Sequence, residues 1–313
     1  MRFELGLATL FLASLGACDD AKPSPPLTAP SAQAATVRTT AVGSASAIAS
    51  ATPPTARSAE APVDSKGGGV VAGPYPPGKV EEAVNPKHEA PYSGPTGVVR
   101  GIVRIAGDAA PTTSTAFPPR CGEASATHGR LFRTGQDGTL ADALVTVTGY
   151  PGFVPEVHDA KKVVIHGCAL SKRTIAVTFG QWLEVFNTDS VEAYMPYLDG
   201  APGKAIMVAV PGGGPVKLYP TEPAAQYRLR DQLDKTWLVG DVFVVKFSTH
   251  DVTGLDGRYQ VTRVPVGRVR VNAYLPAIEW RVEKELDVRE GDNTLDFELT
   301  WKRGGGDAGA PAK

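Results

Sequence analysis

Charge of one sign is missing from this chain. Its 313 residues carry 32 Lys+Arg against 33 Asp+Glu, a formal charge of −1. That balance excludes a strongly basic nucleic-acid binder and a polyacidic chain, since either needs a field of one sign. Aromatic residues are few, at 7%, and there are only three cysteines. No apolar run approaches the roughly 20 residues that a membrane-spanning helix needs. Catalytic signatures are missing too. There is no G-x-S-x-G, H-E-x-x-H, Walker loop or G-x-G-x-x-G. Gly212-Gly213-Gly214 is followed by Pro215, where a phosphate loop would need backbone N–H groups and a helix start, so it reads as a hairpin loop. What the chain has in quantity is glycine (34) and proline (27). Their uneven distribution means that the folded part is smaller than the chain.

The amino terminus carries an address. Arg2 precedes an apolar run from Leu5 to Leu15, whose length suits the core of an export signal. Leu15-Gly16-Ala17 is followed directly by Cys18. This run resembles the lipobox of bacterial lipoproteins. The resemblance implies a signal peptide over 1–17, a diacylglycerol thioether on Cys18 and an acylated new amino terminus. Glu4 departs from the purely basic lead of such signals. At roughly 0.8 kcal/mol per buried methylene, three acyl chains would make the anchor permanent. The implied location is the cell envelope, with the membrane as the partner of the anchor.

Residues 18–95 are rich in Ala, Pro, Ser, Thr and Gly, as in PPTARSAEAP. Such a segment buries too little apolar area to offset chain entropy and reads as a disordered tether. As a coil it would span on the order of 50 Å. The tail over 303–313 reads the same way. Between 96 and 302 the pattern changes to short β-branched runs separated by Gly, Pro, Asn and Asp. Leu295, Phe297, Leu299 and Trp301 alternate with Asp296, Glu298 and Thr300, and Val269, Val271 and Ala273 alternate with Arg268, Arg270 and Asn272. Period two marks half-buried antiparallel strands. Asp256-Gly257 is a hairpin-turn signal, after which Tyr259 and Val261 point inward. An all-β sandwich, or two packed together, is expected.

Two stretches resemble known families. Gly167-Cys168, Gly180-Gln181 and Asn187-Thr188-Asp189 resemble the plastocyanin-like cupredoxin domains of exported bacterial proteins. Thr253, Asp256, Gly257, Tyr259, Val264, Pro265 and Gly267 resemble the carboxypeptidase regulatory-like (transthyretin-like) module. Gly97 and Gly101, in GVVRGIVRIAGDAAP, look like the first strand of such a module. Together they imply a Greek-key, cupredoxin-like sandwich over 96–247 packed with a small transthyretin-like sandwich over 248–302. The second module lends no peptidase chemistry, because the zinc-binding catalytic domain is absent. A type-1 copper site needs two imidazoles and a thiolate. The run Val191–Tyr197 contains no histidine, and Arg230–Leu238 keeps Trp237 but has no Cys, His or Met. Lys235 would place a positive charge near that site. The expectation is therefore no metal and no cofactor.

With Cys18 assigned to lipid, Cys121 and Cys168 remain. In an oxidising compartment they are expected to be bridged, a link worth about 4 kcal/mol by chain entropy. The alternative is chelation, because His166 and Cys168 sit two apart on a strand. Asp231, Asp234, Asp241, Asp251 and Asp256 could supply paired carboxylates, but read better as solvated turn acids. No catalytic residue is expected. The expected role is a structural or adaptor one at the envelope, through envelope proteins or glycans. Carbohydrate binding is the alternative, through a loop built on Tyr194, Tyr197 and Trp237.

Overall fold

The chain begins one sandwich, leaves it to build a second, and returns to complete the first. The computed structural model describes residues 74–155, 158–202 and 207–304. The signal segment, Cys18, the tether up to residue 73 and the tail from residue 305 lie outside the described residues. The folded part is all-β.

The first sandwich opens with β1 (Thr96–Gly107) and β2 (Leu144–Thr148). The second follows without interruption, from β3 (Ala160–His166), β4 (Ala169–Leu170), β5 (Thr174–Thr178) and β6 (Trp182–Asn187) to β7 (Pro196–Asp199), β8 (Val216–Leu218), β9 (Gln226–Asp231) and β10 (Val239–Val245). Its sheets run β4-β3-β6-β8 and β5-β10-β9-β7. They enclose Ile165, Leu183, Val185, Leu198, Leu229, Leu238 and Val242. Both sheets owe this core to alternation: in β10, Gly240, Val242 and Val244 are buried while their neighbours are partly exposed.

The chain then returns through β11 (His250–Val252), β12 (Arg258–Pro265), β13 (Gly267–Leu275), β14 (Trp280–Val288), β15 (Gly291–Thr294) and β16 (Phe297–Trp301). β12, β15 and β16 all pair with β1, antiparallel for β12 and parallel for the other two. The opposing sheet runs β11-β2-β13-β14. Val99, Val103, Leu140, Val145, Val271 and Phe297 fill the space between them. Gly101 is required at its place in β1, since a Cβ there would meet the Leu295 carbonyl oxygen at 1.9 Å. A smaller apolar contact of Leu144, Ala176 and Val252, with Phe243 against it, joins the two sandwiches.

Three expectations are corrected here. Consecutive domains over 96–247 and 248–302 do not describe the pairing, because β1 and β2 belong with β11–β16 and the second sandwich is inserted between β2 and β11. The tether does not extend to residue 95 either. Helix α1 (Pro77–Val84) packs on the second sandwich through Val80, which is buried in its core. Tyr75 stacks against Phe179 at 5.2 Å and donates its hydroxyl to the Thr221 carbonyl at 2.7 Å. These anchors, with Ala83 and Val84 against the same core and the Tyr92 N–H donated to the Phe153 carbonyl, hold a stretch whose average composition reads as unfolded. The expected tail likewise begins later than 303, with Arg303 N–H donating to Asp108 at 2.8 Å.

Candidate functional site

Gly167 and Cys168 form a two-residue turn between β3 and β4, with His166 opposite Ala169. Both have positive φ, 55° and 64°. Such a turn matches the twist of its strands, but a non-glycine residue pays for it in strain. Three contacts hold Cys168 there. Its Sγ is bonded to that of Cys121, with the two Cα atoms 5.2 Å apart. Its N–H donates to Asp189 Oδ2 at 3.2 Å, and the Gly167 N–H donates to Asp189 Oδ1. Its carbonyl accepts the indole N–H of Trp237 at 3.2 Å. Phe117 meets Trp237 edge-on at 5.6 Å. The disulfide excludes the alternative of a Cys168 thiolate beside His166.

Asp189 is placed by its own neighbour. Asn187 Oδ1 accepts the Asp189 N–H at 3.0 Å, and Asn187 Nδ2 donates to the carbonyls of Glu192 at 2.7 Å and Ala209 at 2.8 Å. Thus Gly167-Cys168 and Asn187-Thr188-Asp189, separate motifs in the sequence, are the two halves of one device: a turn and the carboxylate that caps it. Tyr194 completes it by donating its hydroxyl to Asp189. Burial, and then the Asp189 charge, hold that phenol well above its ordinary range. Beside it, Glu192 lies between Arg120 Nε at 2.5 Å and Lys235 Nζ at 3.2 Å. The hydrogen bonds from these two bases push the Glu192 carboxyl below its usual range. Lys235 Nζ also stands 5.0 Å from the Tyr194 ring centre and donates to the Ala193 carbonyl at 3.3 Å. Asp231 accepts N–H bonds from Met195 at 2.6 Å and Leu233 at 2.9 Å, and burial raises its pKa. It is no solvated turn acid.

The expected aromatic loop does not form. Tyr194 is 0% exposed and belongs to the core of the second sandwich. Trp237 is half-buried against the disulfide cluster. Tyr197 is half-buried on β7, opposite Arg230. The three therefore cannot present one stacking surface. Tyr194-Met195-Pro196-Tyr197 is not an exposed aromatic loop: Tyr194 is buried and Pro196 and Tyr197 lie in β7. The bridge between Tyr194 and Ala209 and the acceptor on Asp189 are what allow the tyrosine inside. The carboxylates at this end of the sandwich are committed to backbone amides, a phenol and two bases. Such an arrangement fixes loops against each other. The sequence carried a signal for part of it, in the Gly-Cys turn and the Asn-x-Asp motif, but none for the meeting of Arg120, Glu192 and Lys235.

Reducing the disulfide should lower the stability of the chain by about 4 kcal/mol. Urea unfolding with and without dithiothreitol measures this, and an unchanged midpoint would show that the bridge carries no stability.

Comparison with protein-family models, with curated proteins and with solved structures finds no match.

Proposed function

We propose that this chain is a non-catalytic, lipid-anchored protein of the bacterial cell envelope. Its paired sandwiches serve as a structural or adaptor module, joining a metal-free cupredoxin-like domain to a carboxypeptidase regulatory-like one. The observation that carries the reading is Leu15-Gly16-Ala17-Cys18 placed directly after an apolar run. Among the described residues no helix is long and apolar enough to cross a membrane. The seam built on Asp189, Glu192 and Lys235 supports a scaffold role. Each of its charged groups is engaged by another part of the fold.

The test is the mass of the amino-terminal peptide of the full chain after expression in a bacterial host. The expected peptide begins at Cys18 and carries a diacylglyceryl thioether and an N-acyl group. The wild type then partitions into detergent, and Cys18→Ser yields no lipidated peptide. An unmodified Cys18, or cleavage at another bond, would remove the anchor and with it this reading.

A further inference from the structure

The sheet β11-β2-β13-β14 turns one face to its own core and the other to the second sandwich. Three rows of side chains cross that outer face, fixed by the strand register. Tyr274 stands opposite both Leu144 and Arg281, Asn272 opposite Thr146 and Glu283, and Arg270 opposite Thr148 and Glu285. In a sandwich standing alone this face would be solvated. Here it is roofed by Phe243 and Phe247, in and just after β10. Between face and roof lies an open cleft of about 840 Å³, within the range of about 300–1,000 Å³ usual for ligand sites.

The cleft is pre-set. Tyr274 meets Phe243 edge-on at 5.8 Å, and the Arg281 guanidinium stands 5.4 Å from the Tyr274 ring centre. Asn272 Nδ2 donates to Glu283 at 3.0 Å, which fixes the amide with its oxygen still able to accept. All these groups sit on paired strands, so little order has to be imposed when a ligand arrives.

The composition of the walls selects the ligand. Rings alternate with amide, hydroxyl, carboxylate and guanidinium groups, and the cleft carries one acid, Glu283, and one base, Arg281. A lipid would leave the polar groups unsatisfied, and a polyanion would meet Glu283. An extended peptide would seek free main-chain partners, but β13 on the cleft floor is paired on both sides, with β2 and with β14, which leaves a peptide the outer edge of β14 rather than the cleft floor. A pyranose needs what is present: apolar surface for its C–H face and planar hydrogen-bonding groups for its hydroxyl rim. A β-1,4-linked strand presents both along its length. We propose that this cleft binds a β-1,4-linked glycan strand, with Phe243, Phe247 and Tyr274 against the sugar rings and Asn272 and Glu283 on their hydroxyls. The site is distinct from the Tyr194 end of the second sandwich and independent of how Cys18 is modified. It goes beyond the adaptor role by naming a ligand class.

The test is calorimetric titration of the full chain in detergent with chitotetraose, cellotetraose and a pool of unglycosylated hexapeptides. At least one tetrasaccharide is expected to bind, and the peptides are not. Phe247→Ala and Asn272→Ala should each weaken binding by about tenfold or more. Val191→Ala, on an exposed loop of the second sandwich, should leave it unchanged. Glu283→Gln, on an exposed edge-strand position, gives a reading that does not depend on core packing, and unchanged thermal unfolding certifies each variant. Binding of neither sugar, binding of the peptides alone, or sugar binding indifferent to all three cleft substitutions would overturn the proposal.

Discussion

Replacing Asp142 by asparagine should destabilise the chain by about 3 kcal/mol, and replacing it by alanine by up to about 5 kcal/mol. Asp142 stands just before β2, 5% exposed. Its carboxylate takes both ends of the Arg133 guanidinium, from Nε and Nη2 at 2.7 Å each. It also accepts the Arg173 N–H, ahead of β5, at 2.8 Å. One carboxylate thus ties the start of a strand in the first sandwich to the start of a strand in the second. Arg173 reinforces the tie by donating to the carbonyls of Arg130 at 3.0 Å and Leu131 at 3.1 Å. Its guanidinium is buried enough for its pKa to fall below the usual range. Loss of the carboxylate leaves the Arg133 and Arg173 guanidinium groups near each other without their shared counter-charge, with Asp241 still acting on Arg173, and removes three hydrogen bonds as well. Asparagine and alanine differ for a second reason. Asp142 has φ +66°, which asparagine tolerates and alanine does not. Arg133→Met in the Asp142→Asn background should recover part of the loss, because it removes one stranded charge. Equal urea midpoints for wild type and Asp142→Asn would mean that the pair contributes nothing.

How much of this was legible in the sequence depends on the range of each contact. Strands stand out wherever burial is one-sided. Val269, Val271 and Ala273 are all within 1% of full burial, as their alternation with Arg268, Arg270 and Asn272 required. Phe297 and Leu299 follow the same rule. The bridge between Cys121 and Cys168 was also readable, on the expectation that an exported chain folds where thiols are oxidised. Pairing across the chain was not. β1 finds β12, β15 and β16 some 150 to 200 residues later, and no local pattern records which strand lies beside which. The composition of 74–95 hid its anchors, among them Tyr75 and Val80. Polar networks were the least visible. A lone aspartate before β2 looks like any turn acid until Arg133 and Arg173 are placed around it. Tyr194 looks exposed until Asp189 is found at its hydroxyl.

Mild acid should destabilise the chain through its histidines, above the pH at which ordinary carboxylates are protonated. Two histidines are held neutral in the fold. His128 is 7% exposed, and its Nε2 has no hydrogen-bond partner among the described residues. Burial, and then the Arg173 and Arg133 charges, lower its pKa to about 3. His250 Nε2 stands 3.3 Å from Thr178 Oγ1, and burial, with Lys161 nearby, lowers its pKa to about 4. In the unfolded chain both titrate near 6.5. Between the two values the unfolded state binds more protons, so stability falls as pH falls. It is complete above about pH 6.5 and declines by about 1.4 kcal/mol per unit for each histidine. From pH 7 to pH 5 the pair costs about 4 kcal/mol, a large part of the 5–15 kcal/mol usual for a domain. Asp231 and Asp241 act in the opposite direction. Burial raises both, so protonation favours the folded form and offsets part of the loss as pH falls. Replacing the histidines one at a time isolates their share of the slope. Urea midpoints should drop steeply between pH 6.5 and 5, and His128→Gln and His250→Gln should each remove about half of the slope. A midpoint constant over that window would mean that neither ring is kept from its proton by folding.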